Sequence, residues 1–320
     1  MSRDDMTSPA EVRMACIRGL EHGREHALES DPSIIEFDVR GFETNIVSDL
    51  RFACGAGLLG DWLDDLLEEY MTEVQSSAAL AVNCFGPLLL AGIPFDLGGQ
   101  RNLRVHSIAR ATRPGFYEPD EPALYVIAEG PGGTVVIDVS CLDYLTPPGS
   151  TWADSDSAKR YAASTDQPID RRFDPANSAA PGGLLDVATL LDRARAPAGN
   201  PANAPAALTY VYWEPLDAGF SPLFEQHREE LAAFAKGLGG GGGPRFEAIS
   251  CFALWDGWAH SEDPHLRAHV AALRARYEVP AWAWECAEWR DGRLGTANWM
   301  MDLIEEVDAE RERKGDQNDR

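Results

Sequence analysis

An α/β fold, with a central mixed β-sheet flanked by helices and helical decorations at both ends, is what this 320-residue sequence predicts. Three observations lead to it. Apolar residues recur at helical spacing in the first ninety or so positions. Three strand-like runs follow, the last two joined by Gly130-Pro131-Gly132-Gly133, and a helical segment then leads into a further strand. The order helix, strand, strand, strand, helix, strand is that of an α/β chain with a mixed sheet.

The first helix is expected over residues 9–29, with Pro9 suited to its first turn and Met14, Ile17 and Leu20 as its apolar stripe. A second, at about 58–74, sets Leu59, Trp62, Leu63, Leu66, Leu67 and Tyr70 against Asp61, Asp64, Asp65, Glu68, Glu69 and Glu73, a solvated acidic face. Ser76 or Ser77 caps a third, apolar helix expected to end near Gly86 and Pro87. Strands are expected at 103–110, 123–129 and 134–141, the last two forming a β-hairpin. Residues 146–182, rich in Pro, Ser, Asp and Ala, read as a long loop with a short helix at about 156–163. A helix at about 183–195, a strand at 207–213, a helix from Pro222 to about Leu238 and a strand from Phe246 to Trp255 complete the pattern. The run Gly239–Gly243 lacks the GK[ST] ending of a phosphate-binding loop and follows a helix, so it reads as a connector.

Composition bounds what the chain does. With 28 Lys and Arg against 52 Asp and Glu, the formal charge is −24. DNA affinity depends on basic side chains displacing counterions from phosphates, and Arg101, Arg104, Arg110 and Arg113 are the one modest basic cluster near the hairpin. Association with duplex DNA is therefore expected to be weak and to vanish by moderate salt, which affinity measured across a salt series reads directly. Tight binding that persists at high salt would reveal a concentrated basic groove. Six cysteines lie far apart with no CxxC pair, so neither zinc nor disulfides are expected. The longest apolar stretch, Leu80–Ile93, is interrupted by Asn83, Gly86 and Pro87, short of the roughly 18 residues a membrane helix needs. The N-terminal Ser2, Arg3, Asp4 and Asp5 precede no apolar leader, and a cytoplasmic location is expected.

Four segments in order, SSAALAVNCFGPLL (76–89), PALYVIAEGPGGTVVIDVSCLDYLTP (122–147), GLLDVATLLDRA (183–194) and LTYVYWEPLDA (208–218), followed by LWDGW (254–258), carry a likeness. Together they resemble a bacterial family of restriction-endonuclease-like proteins in the PD-(D/E)xK superfamily. The resemblance implies a restriction-endonuclease-like core over 58–258, decorated by the loop 146–182. It leaves an N-terminal helical extension at 1–57, a C-terminal extension packed on the core at 259–304, and a charged tail at 305–320 expected to be disordered. In that family the hairpin presents a metal-binding Asp on its first strand and Glu-x-Lys on its second. Here those positions hold Tyr125 and Asp138-Val139-Ser140. The helix at 183–194 would present Gln and His, where this chain has Thr189 and Arg193, while Asp143 and Tyr144 keep the acidic-Tyr pattern after the motif.

Hairpin geometry gives the same frame without the family. A four-residue turn at 130–133 pairs Glu129 with Thr134 and sets Tyr125 opposite Asp138, with Ser140 on the same face. Directly opposite residues hold their Cβ atoms about 4.5–5.5 Å apart, the reach two carboxylates need to share a divalent ion. Mg²⁺ held so would polarise a phosphate and activate water, with a lysine orienting the nucleophile. Asp138 is the one retained carboxylate, and Tyr125 and Ser140 replace the others, so a metal site, if any, rests on Asp138. Asp138 lies in the apolar run VVIDVSCL and must find partners there, from backbone donors or an arginine such as Arg104 or Arg193. Glu214, at a strand end, and Lys159, the nearest lysine, are further candidates. Glu121 shares Tyr125's facing but lies about 13 Å away along the strand, and Asp120 has the opposite parity.

The expectation is a nuclease-fold protein with a degenerate active site and no bound cofactor, acting through binding or regulation, with an unidentified protein partner, in a role such as bacterial defence. One alternative is an active Mg²⁺-dependent DNA endonuclease that uses Asp138 with displaced partners. Another is an acidic protein-interaction module.

Overall fold

The computed structural model describes residues 7–30, 75–112, 122–145, 183–194, 205–216, 218–238 and 244–278. Helix α1 spans Pro9–Ser30 and α2 spans Ser77–Ala91. Ser76 caps α2, its side chain accepting from the Ala79 N–H at 3.1 Å. The helix passes Gly86 and Pro87, where the sequence suggests an end, and stops at Gly92, whose φ of 61° is the left-handed closing conformation. A proline inside a helix costs about 3 kcal/mol. Burial offsets that here, because every residue from Ala78 to Gly86, and Leu88, is buried. A helix apolar on all sides belongs in a core.

Six strands follow in sheet order: β1 (Phe95–Leu97), β2 (Gln100–Thr112), β3 (Pro122–Gly130), β4 (Gly133–Ser140), β5 (Ala207–Tyr212) and β6 (Arg245–Ser250). Pairing is antiparallel from β1 to β4 and parallel from β4 to β6. Connections decide this. Tight turns link β1 to β2 and β3 to β4, whereas helix α3 (Val187–Ala194) lies between β4 and β5, and α4 (Pro222–Leu238) between β5 and β6. The result is the α/β mixed sheet that the element order predicts. Alternation sorts the residues: Leu124, Val126 and Ala128 are buried on the α2 side. Tyr125, Val136, Leu208, Tyr210 and Tyr212 pack on the other side, with Leu190 and Leu191 of α3 and Leu231 and Phe234 of α4.

The sheet is strongly curled. Its β1–β2 turn meets β6, where the Gly99 N–H donates to Glu247 Oε2 at 3.2 Å. Gly98 has a φ of +55°, a left-handed conformation that favours glycine, and a Cβ there would displace the Glu247 carboxylate. Phe85, Phe95 and Trp258 then form an aromatic triad with centroids 5.6–5.8 Å apart. Trp258 also donates its indole N–H to the Asp96 carbonyl at 2.8 Å.

Several expectations need correction. The strand expected from Phe246 to Trp255 ends at Ser250, which caps helix α5 (Cys251–Ala259) by accepting from the Ala253 N–H. Cys251, Leu254, Trp255 and Trp258 are buried at a helix's period, not a strand's. Strand β1, three residues long, is too short for a periodic signal. Met14 is 49% exposed, and α1 buries Leu20 as expected but with Val12, Ala15 and Cys16 beside it. Helix α6 (Pro264–Tyr277) is woven into the core: Asn83 donates to the Tyr277 hydroxyl at 2.7 Å, and the Trp213 indole donates to the Tyr277 carbonyl at 3.1 Å. The helix expected at 58–74, the loop 146–182 and the tail lie outside the described residues. Among the described residues no helix is long and apolar enough to cross a membrane.

Candidate functional site

The β3–β4 turn sets the register of the site. Gly130 pairs with Gly133, Glu129 with Thr134 and Tyr125 with Asp138, as the turn length predicts. Across the parallel junction Asp138 stands beside Tyr210, and Ser140 beside Tyr212. Three strands thus bring Tyr125, Asp138, Ser140, Tyr210 and Tyr212 to one face of the sheet.

Helix α3 covers that face and fills it with a cation of its own. Arg193 Nε donates to Asp138 Oδ1 at 3.1 Å, and its guanidinium carbon sits 4.6 Å from the centroid of the Tyr125 ring. The carboxylate supplies a charge-assisted hydrogen bond and the ring a negative face, so two groups of the hairpin recognise the same cation. Arg193 is the arginine partner the sequence asks for. Arg104 instead donates to the Gly92 carbonyl. The supporting turn is local: Asp186 accepts from the Thr189 backbone N–H at 3.0 Å and from its hydroxyl at 2.7 Å, fixing the start of α3 about two turns before Arg193. Thr189 and Arg193 therefore lie on adjacent turns of one helix, the first holding the helix end and the second the carboxylate.

The remaining candidates divide. Ser140 is buried beside Asp138, and its hydroxyl has no hydrogen-bond partner among the described residues. Glu214 follows β5 and pairs with Arg228 at 2.7 Å. Burial pushes its pKa above the usual carboxylate value, and the Arg228 charge works against that shift. The structure thus gives Glu214 a different cation and a place beyond the strand end, separate from the Asp138 pair. Asp143 accepts from the Ser77 hydroxyl at 2.7 Å, which in turn accepts from the Cys141 N–H at 2.7 Å, so this pair anchors α2 to the end of β4. Lys159, Asp120 and Glu121 lie outside the described residues. Cys16, Cys84, Cys141 and Cys251 are buried free thiols, and burial pushes the pKa of Cys16, Cys141 and Cys251 up, which leaves those three poor nucleophiles.

A group not singled out from the sequence packs against the tyrosines of the same face. His227 of α4 is fully buried, lies flat on Tyr144 (centroids 3.9 Å apart, planes 7° apart) and is walled by Tyr210 and Tyr212 at 5.8 and 5.1 Å. Neither ring nitrogen has a hydrogen-bond partner among the described residues. Tyr144 donates its hydroxyl to the Trp213 carbonyl at 2.8 Å, which holds the lower plate of the stack in place. The signal was present: Tyr210 and Tyr212 alternate onto one strand face, and His227 falls three residues after Phe224 and four before Leu231, on the apolar face of its helix.

These residues do not fit a hard divalent cation. Such an ion needs oxygen ligands at about 2.0–2.6 Å, and the buried carboxylate of the hairpin, Asp138, already holds a guanidinium at 3.1 Å. An aromatic ring, that of Tyr125, faces it across the strand pair, and the next residue of β4 on that face is Ser140, with no charge to offer. Comparison of the chain with protein-family models, with curated proteins and with solved structures gives no match.

Proposed function

We propose that this chain is a restriction-endonuclease-fold protein of the PD-(D/E)xK kind that has exchanged its metal ion for an internal arginine, and that it acts by binding a partner in a regulatory or defence-associated role. The observation that carries the reading is the placement of Arg193, bonded to Asp138 and stacked on Tyr125. A nuclease of this kind needs positive charge at that point to polarise a phosphate. A guanidinium whose charge is spent on a buried carboxylate gives the point its charge balance and withholds it from substrate. The strong negative charge of the chain supports a protein or other basic partner over general DNA binding.

The test is calorimetric titration with Mn²⁺, alongside a plasmid-nicking assay in Mg²⁺ or Mn²⁺. Wild type is expected to show neither binding nor cleavage. The combined variant Tyr125→Asp, Ser140→Lys, Arg193→Gln removes the guanidinium and sets a second carboxylate about 5 Å from Asp138 across the strand pair. It is expected to gain Mn²⁺ binding. Gain of cleavage is a more demanding outcome, because groups on α3 that orient metal ligands would also have to be rebuilt. Tight Mn²⁺ binding and DNA cutting by wild type, both lost in Asp138→Ala, would replace this reading with that of an active nuclease.

A further inference from the structure

We propose that His227 is a proton-triggered latch: its imidazole takes up a proton only when helix α4 leaves the face of β5, so acidification opens this side of the sheet while the β2–β4 side stays closed. The ring is fully buried, and neither of its nitrogens has a hydrogen-bond partner among the described residues. The turn after β4 presents Tyr144, β5 presents Tyr210 and Tyr212, the segment beyond β5 presents Glu214, and α4 itself presents Arg228. The carboxylates on this side of the sheet have cations of their own, Glu214 held by Arg228 and Asp138 by Arg193. An imidazolium here would be a buried charge with an arginine next to it in sequence and, among the described residues, no carboxylate bonded to it.

Relief of that cost lies in movement of α4, because the other walls are fixed. Tyr210 and Tyr212 belong to a strand paired on both sides, and Tyr144 is tied to the Trp213 carbonyl. Helix α4 is held to the face by Leu223, Phe224, Leu231, Phe234 and Leu238, and by Glu230, which accepts from the Leu184 and Leu185 N–H groups at 2.8 and 2.9 Å. Burial, with the Arg228 charge adding to it, pushes the His227 pKa down to about 3. The closed form therefore stays neutral where an opened ring, with a pKa of about 6.5, is protonated. A depressed folded value means that stability is whole above about pH 6.5 and is lost progressively as pH falls toward 3.

Hydrogen exchange of the intact chain at pH 7.5 and 5.5, corrected for the intrinsic pH dependence of exchange, tests the latch. Amides of α4 are expected to lose about tenfold in protection relative to β2–β4 over that interval, and His227→Phe is expected to abolish the difference. Loss shared equally by α4 and β2–β4, or loss that persists in His227→Phe, overturns the proposal. Wild type alone gives a second reading by NMR: the His227 ring protons are expected to show no titration midpoint between pH 6 and 7 in the closed form. A midpoint in that range would mean the buried ring accepts a proton in place, and the latch would not exist.

Discussion

Arg193→Ala is expected to lower stability by about 3–5 kcal/mol, read as a fall in the urea midpoint at neutral pH. The side chains of Arg193 and Asp138 are 8% and 11% exposed, so their pairing is an interior one and solvent does little to screen what remains when one partner goes. Removing the guanidinium leaves Asp138 buried in an apolar run opposite an aromatic ring, which is the costly half of the exchange. Asp138→Ala is expected to destabilise by a similar amount from the other side, and to alter stability far more than any nuclease activity. Replacing both residues by apolar ones, Asp138→Leu with Arg193→Met, is expected to be close to neutral, since no uncompensated charge is left. The double-mutant cycle therefore reports strong coupling. Single replacements costing less than about 1 kcal/mol, in the range of a solvated surface pair, would remove Arg193 from the centre of the functional reading.

Phe85→Ala is expected to cost about 3–5 kcal/mol, the range for emptying a large aromatic site in a packed core. Its ring is fully buried and touches both Phe95 of β1 and Trp258 of α5, so one truncation loosens three elements at once. Phe85→Leu, which keeps most of the volume, is expected to cost markedly less. Urea unfolding of the two variants reads the difference. Equal costs for the two substitutions would mean that retained volume does not help and that only the fit of the aromatic ring counts.

The parts of this molecule that were legible in sequence are those set by local rules. The hairpin register follows from a turn with four small or rigid residues, and it placed Tyr125 against Asp138 without any knowledge of the rest of the sheet. The bounds of α4 followed from Pro222 and the glycine run after Leu238. The need of Asp138 for a partner was also readable, because a carboxylate inside VVIDVSCL has no water, but choosing Arg193 over Arg104 required knowing which helix returns to that face. Less was legible where tertiary burial overrides local preference. Helix α2 runs through Pro87 because its surroundings are apolar on every side, which no window of sequence reveals. At Ser250 the period changes from two to helical within an unbroken apolar run, and the cap is the only punctuation. His227 was invisible as a chemical group because its helical spacing marks it as core, and what makes it unusual is the ring of tyrosines contributed by β5 and by the turn after β4.

The contact between the β1–β2 turn and Glu247 bears on how this protein meets others. A sheet normally ends in two strands whose unpaired amides and carbonyls invite a further strand, from a partner or from a second copy of the same chain. Here the curl carries one margin of the sheet toward the other, and the Gly99 amide is bound by a side chain of the last strand. The opening strand is three residues long, so it offers little backbone to copy. Recruitment by strand addition is thereby disfavoured at β1. Any recognition through that margin is left to side chains rather than to exposed strand backbone.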